Sequence, residues 1–184
     1  GSEMCIRDRV SGPTGALHQV ASKNDLHADP VSHMMHIMRT TTNARTAAKE
    51  ASHERIVQAA ARAIRRSGYD GTGVADIMKE AGLTHGAFYA HFESREAMLA
   101  EAADRAGAES NAFAAQVIAS VPPEQALQAL MHTYLSKEHQ AAIETGCPIS
   151  ALGSEMPRQS PEVRRAATLR IKEMIDLIAR QSPD

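Results

Sequence analysis

Apolar residues recur at helical spacing along most of the chain from Lys49 onward. In "KEASHERIVQAAARAIRRSGY", Ile56, Val57, Ala60 and Ile64 fall on one side of a helix, and Arg55, Arg62, Arg65 and Arg66 lie mainly elsewhere. Ser52 is the candidate cap at its start and Gly68 the natural stop. "DGTGVADIMKEAGL" opens a short helix at Thr72 or Gly73, with Val74, Ile77 and Met78 inward and Gly82 supplying a tight turn. Thr84 then caps a third helix running through Tyr89. Two short helices joined by so brief a turn make a helix-turn-helix.

Beyond Phe92 the pattern lengthens. "ESREAMLAEAADRAGAESNAFAAQVIAS" reads as one long helix capped by Ser94, broken by Pro122 and Pro123. "EQALQALMHTYLSKEHQAAIE" is predicted as the next helix, with Ala126, Leu127, Leu130, Met131, Tyr134 and Leu135 on its apolar side. After "TGCPISALGSEM", a break and a short helix, the last helix starts with Ser160 as cap and Pro161 in its first turn. It turns Val163, Ala167, Ile171, Met174, Ile175 and Ile178 inward. The expectation is an all-α protein. Residues 49–95 form a three-helix domain containing the helix-turn-helix, and residues 96–184 form a second helical domain.

Residues 1–48 carry no sustained period. "GSEMCIRDR" resembles a sequencing-adaptor scar. The rest of this arm is expected to be disordered or partly helical, a basic arm reaching into a minor groove being the functional alternative.

Composition narrows the function classes. With no Trp and aromatics at 3%, the core must be built from Ala, Leu, Ile, Val and nine Met. The net charge of −2 does not argue for nucleic acid, though binding depends on where charge sits. Two cysteines give no disulfide framework and suit a reduced, cytoplasmic setting. No stretch is apolar enough for a membrane span. An enzyme finds no support: no nucleophile stands beside a base, and no glycine-rich phosphate loop is present. His132 and His139 lack a carboxylate pair of matching spacing, so neither a metal nor a cofactor is expected.

"GLTHGAFYAHF", from Gly82 to Phe92, holds one of three Tyr and two of three Phe. A helix entering a major groove needs a small leading surface. Thr84, His85 and Gly86 sit at that leading end. Thr84 and His85 can hydrogen-bond base edges, and Gly86 allows close backbone approach. Tyr89 can reach a phosphate one turn on, with His91 and Arg95 flanking it. Phe88 is expected to face Val74 and Ile77.

Residues 50–99 resemble the DNA-binding domain of the TetR family of bacterial repressors. The resemblance rests on "IVQAA" and "GYDGTGVADIMKEAGLTHGAFYAHFESREAML", and the "YAHFESREAML" tail is its most specific part. It implies that Thr84 caps the recognition helix, that Tyr89 and His91 contact phosphate, and that Thr72 and Arg95 belong to the DNA-binding set. Arg95 stands where lysine is usual, Ile64 where Phe is usual, and Gly73 where Ser or Thr normally caps the second helix.

The resemblance also implies a C-terminal effector-binding and dimerisation domain. A pocket for a small apolar effector is expected among Phe113, Val117, Leu130, Met131, Tyr134, Cys147, Ile149, Leu152, Met156, Ile171 and Met174, a Met-rich and adaptable set. Cys147 is read chiefly as a buried small hydrophobe, a thiol sensor being the alternative. The family continues for two more helices, so this domain looks C-terminally truncated. The expected function is a ligand-responsive repressor binding a palindromic operator in double-stranded DNA as a homodimer. The alternative is a truncated helical protein–protein interaction module without competent operator binding.

Overall fold

The computed structural model describes the backbone of residues 30–181 and the side chains of residues 43–181. Two compact units divide the chain, residues 1–43 and 44–184. The expectations for residues 1–29 lie outside the described residues. All described structure is helical: α1 (Pro30–Ser67), α2 (Val74–Glu80), a 3-10 helix (His85–Ala90), α3 (Arg95–Ala119), α4 (Ala126–Tyr134), α5 (Lys137–Ala141), α6 (Pro148–Leu152) and α7 (Pro161–Ala179), with short 3-10 turns before α4 and α7. No described helix is long and apolar enough to cross a membrane.

Several expectations shift. Helix α1 begins at Pro30, so Ser52 is inside a helix; its hydroxyl accepts from Arg55 at 3.2 Å instead of capping. The third helix of the helix-turn-helix is a 3-10 helix, and Thr84 occupies its cap position without a side-chain cap bond. The single helix expected over Glu124–Glu144 is two, because the Ser136 hydroxyl accepts the His139 N–H at 3.1 Å and starts α5 afresh. Ser94 and Ser160 cap as expected, accepting from Ala97 N and Val163 N.

Residues from both halves share one core within residues 44–184. Ile56, Ala60, Ile64, Ile77, Met78, Phe88, Phe92, Met98 and Leu99 come from the N-terminal helices and the start of α3. Leu152, Val163 and Ala167 come from the later ones. Each fully buried Ile, Leu or Met contributes about 1.5–3 kcal/mol. Helix α7 lies along α3, so close that a Cβ at Gly107 would run into the side chain of Arg170. Arg170 grips Asp104 with two hydrogen bonds, at 2.8 and 2.9 Å.

Three features join the two halves. Arg65, expected on the polar face of α1, is instead buried. Its guanidinium donates to the carbonyls of Ala61, Ala106 (2.7 Å) and Glu144 (3.2 Å) and to the Glu109 carboxylate (2.8 Å). A buried cation is tolerable where carbonyls and a carboxylate converge. Arg66 pairs with Glu144 and Glu80. Gly68 ends α1 at φ 75°, and a Cβ there would collide with the Glu155 carboxylate, which accepts the Tyr69 N–H. Position 68 thus demands glycine by its dihedral angle, and a side chain there would also displace the Glu155 carboxylate.

Candidate nucleic-acid interface and effector cavity

The 3-10 helix is held from below. Phe88 and Phe92 are buried and stack at 5.6 Å between ring centroids, and Phe92 carries the His53 ring at 4.5 Å. Phe88 joins the core that includes Ile77, with Val74 packed against it. The turn from α2 is closed by Leu83 N–H to Met78 carbonyl (2.8 Å), with Gly82 at φ 71°.

On the outer side of that helix, Thr84, His85, Gly86 and Tyr89 are all exposed, Tyr89 at 72%. A Cβ at Gly86 would meet no atom within 4 Å. The surface is therefore small at its leading end and carries a hydroxyl, an imidazole and a phenol in one short stretch. Tyr89 leans edge-on against Phe88 at 5.3 Å, which braces the ring and leaves its hydroxyl free to extend.

Three other expected contact residues are placed differently. Thr72 is buried, and its hydroxyl donates to the Gly68 carbonyl at 2.7 Å. Its side chain is occupied by the end of α1 and does not join the exposed set. Arg95 donates to the carbonyls of Tyr69 and Thr72, the latter at 3.1 Å. It latches α3 to the loop after α1, with about a third of its side chain exposed. His91 is half-buried, with Nδ1 enclosed and unpartnered. Burial pushes its pKa below the ordinary 6.5, and the neighbouring His53 and Lys49 add to the effect.

The second feature is a cleft of about 320 Å³ between α3, α4, α6 and α7. Seven residues of the expected pocket set line it: Phe113, Leu130, Met131, Tyr134, Cys147, Ile149 and Met174. Four do not. Leu152, Met156 and Ile171 border a separate void of about 20 Å³, beside Tyr69. Leu152 is fully buried core, and Val117 lies on α3 outside both linings. Ile175, expected inward, is exposed, because α7 turns a different edge toward α3.

The cleft also takes in Leu127, Leu135, Ile178 and His139. The first three belong to predicted apolar stripes. His139 carried no such signal, since it enters through the α4–α5 break. Its ring lies 4.9 Å from that of Tyr134 and 6.3 Å from that of Phe113, nearly parallel to the latter. A more open groove of about 440 Å³ adjoins the cleft and shares Tyr134, Leu135, His139 and Cys147 with it. Arg65, Ser136, Gln140 and Ser150 also line it. Cys147 is a half-buried free thiol at the start of α6. Among the described residues, no group of three or more His, Cys, Asp or Glu is placed to hold a metal ion.

Comparison with known proteins agrees with this architecture. Residues 56–102 match the bacterial regulatory proteins, tetR family. An HTH-type transcriptional regulator of Mycobacterium tuberculosis is 32% identical over 123 residues, covering 63% of this chain and 62% of the relative. The Bacillus subtilis HTH-type regulator LmrA is 30% identical over 127 residues, covering 66% of each. The chain thus spans under two thirds of the length of the mycobacterial relative. Among solved structures, a TetR transcriptional regulator from Chloroflexus aurantiacus superposes with a TM-score of 0.61 at 28% identity, over 72% of this chain and 68% of that one. Reduced E. coli NemR has the same fold, with a TM-score of 0.62 at 21% identity over 71% and 68% of the two chains. The matched helix-turn-helix, the relatives and the shared helical architecture place this chain in the TetR family of transcriptional regulators.

Proposed function

We propose that the chain is a ligand-responsive repressor that binds a palindromic operator as a homodimer. The observation that carries this reading is the coexistence, in one compact unit, of an exposed Thr84–His85–Gly86–Tyr89 surface and an apolar cleft. The surface supplies short side chains and a phenol to a major groove and its phosphates. Helices α4 and α6 supply the cleft walls, and Arg65 and Glu155 tie the cleft half to the end of α1. An effector that favours one arrangement of those ties shifts the separation of two recognition helices, and so shifts operator affinity.

Pairing with a second copy is supported by the apolar side chains left exposed on α4, α7 and the loop after α5. Leu135, Ile143 and Ile175 are 75%, 63% and 58% exposed. Light-scattering mass of residues 44–184 at several concentrations, followed by selection from random duplex DNA, tests the reading. A dimer that enriches palindromic sites is the expected result. A monomer that enriches no sequence favours the helical interaction module instead.

A further inference from the structure

We propose, resting on the effector reading of the cleft, that its ligand is an uncharged molecule built on a planar aromatic system of two or three fused rings. Three helices bring three rings to one place. Phe113 comes from α3, Tyr134 from the end of α4 and His139 from α5. The Phe113 and His139 rings are within 16° of parallel, and the Tyr134 ring lies 4.9 Å from that of His139. The Tyr134 hydroxyl is hydrogen-bonded to that of Ser150, which holds its ring in place. These rings are not spent on the core. Phe88 and Phe92 are buried beneath the 3-10 helix, whereas Phe113 and Tyr134 are 45% and 44% exposed. A flat molecule entering the cleft meets ring surface that the fold leaves uncovered, and Met131 and Met174 place thioethers on the same lining.

Charge and size narrow the class further. No Asp, Glu, Lys or Arg lines the cleft. The polar side chains on its wall are those of Ser110, Tyr134, His139 and Cys147. A charged group drawn among them would give up water without gaining an ionic partner. A hydroxyl or carbonyl needs one hydrogen bond, and Ser110 or His139 can supply it. An enclosed void of about 150 Å³ takes one benzene ring, so a recess of about 320 Å³ takes two or three. A recess of that size suits a small molecule better than the flat face of a second copy.

2-Naphthol, decahydro-2-naphthol, 2-naphthoic acid and 2-naphthylmethylamine share a two-ring frame and differ in planarity or charge. Titration calorimetry of the full chain with each, near neutral pH, separates the outcomes. 2-Naphthol is expected to bind at least about fivefold more tightly than the saturated alcohol, and at least about tenfold more tightly than either charged compound. Phe113→Leu keeps an apolar side chain but removes the ring, and is expected to narrow the gap between the two alcohols at least about twofold. Equal affinity for the two alcohols overturns the aromatic proposal and leaves the effector cleft standing. A charged compound binding as tightly as 2-naphthol overturns the uncharged class. A gap untouched by Phe113→Leu, in a variant folded by circular dichroism, overturns the placement of the ligand. Binding that disappears as the protein is concentrated into dimers assigns the cleft to a second copy and overturns the proposal. Ring-selective binding that leaves the affinity for selected DNA unchanged sustains the ligand class and overturns the effector reading. Failure of all four to bind the folded chain overturns both.

Discussion

The Glu155 carboxylate accepts the backbone N–H of Tyr69 at 2.9 Å, and so closes the end of α1 with a residue from the turn after α6. That hydrogen bond crosses 86 residues of sequence. Glu155→Ala is expected to leave the partly buried N–H unsatisfied and to cost about 1–2 kcal/mol. Glu155→Gln, which retains an acceptor oxygen, is expected to lose less. Urea denaturation of the three proteins checks the order. If Ala and Gln prove equally stable, the hydrogen bond contributes nothing.

Tyr89 and Phe88 are neighbours with opposite duties. Tyr89→Phe is expected to weaken operator binding by on the order of 1 kcal/mol per protomer while leaving thermal stability unchanged, since the hydroxyl meets solvent. Phe88→Ala is expected to cost about 3–5 kcal/mol of stability through the cavity left beside Phe92. Fluorescence anisotropy on DNA and differential scanning calorimetry separate the two effects. A Tyr89→Phe protein that melts early contradicts the assignment.

Gly73 caps α2 with φ −90° and ψ 140°, angles open to any residue, and supplies no side-chain acceptor. Gly73→Ser is expected to stabilise the protein by a few tenths of a kcal/mol. The new Cβ would lie 3.3 Å from Asp76 Oδ2, a carboxylate exposed enough to give way. A chemical-denaturation midpoint that falls rather than rises would show that it does not.

Acid is expected to act on His91 and on two carboxylates in different windows. The folded state depresses the His91 pKa, chiefly by burial, so the unfolded chain binds the proton first. Stability from this group is complete above the ordinary value of 6.5 and falls as pH drops below it. Desolvation pushes the Glu80 carboxyl up, but hydrogen bonds from Arg62 and Arg66 together hold it below the ordinary 4.5, and Glu54 is held below it chiefly by its hydrogen bond from Arg105. Their stabilisation is present above 4.5 and is lost as pH falls through their lower folded values. His91→Gln is expected to flatten only the first decline. Phosphate beside His91 favours its protonated form, so DNA binding is also expected to strengthen as pH falls toward the depressed pKa. Anisotropy titrations across that range, with His91→Gln as control, read the effect directly.

Local chemistry was legible where it depends on a few adjacent residues. Gly68 and Gly82 take left-handed angles at the helix ends, Ser94 and Ser160 cap as their positions suggest, and the apolar stripes of α3 and α4 supply most of the cleft. Contacts between distant segments were not legible. Arg65 reads as a surface residue from periodicity alone, since the carbonyls of Ala106 and Glu144 that draw it inside come from α3 and from the turn after α5. Thr72 looks like a free hydroxyl until the turn after α1 brings the Gly68 carbonyl to it. The break at Ser136 hid because both flanking segments are good helix formers, and with it hid the entry of His139 into the cleft. Leu152 and Ile171 have the same apolar character as the true lining residues; only packing assigns them elsewhere.

The chain contains three tyrosines and no tryptophan. Tyr69 is sealed between the halves, with its phenol pKa pushed up to about 12 by burial and by Glu155. Tyr89 stands in solvent on the exposed surface of the 3-10 helix, and Tyr134 borders the cleft. Replacing all three with 3-fluorotyrosine would therefore yield a fluorine spectrum in which every resonance has its own address. One signal would watch the junction, one the DNA, and one the effector. A single titration could then follow the order in which a signal entering at the cleft reaches the other two.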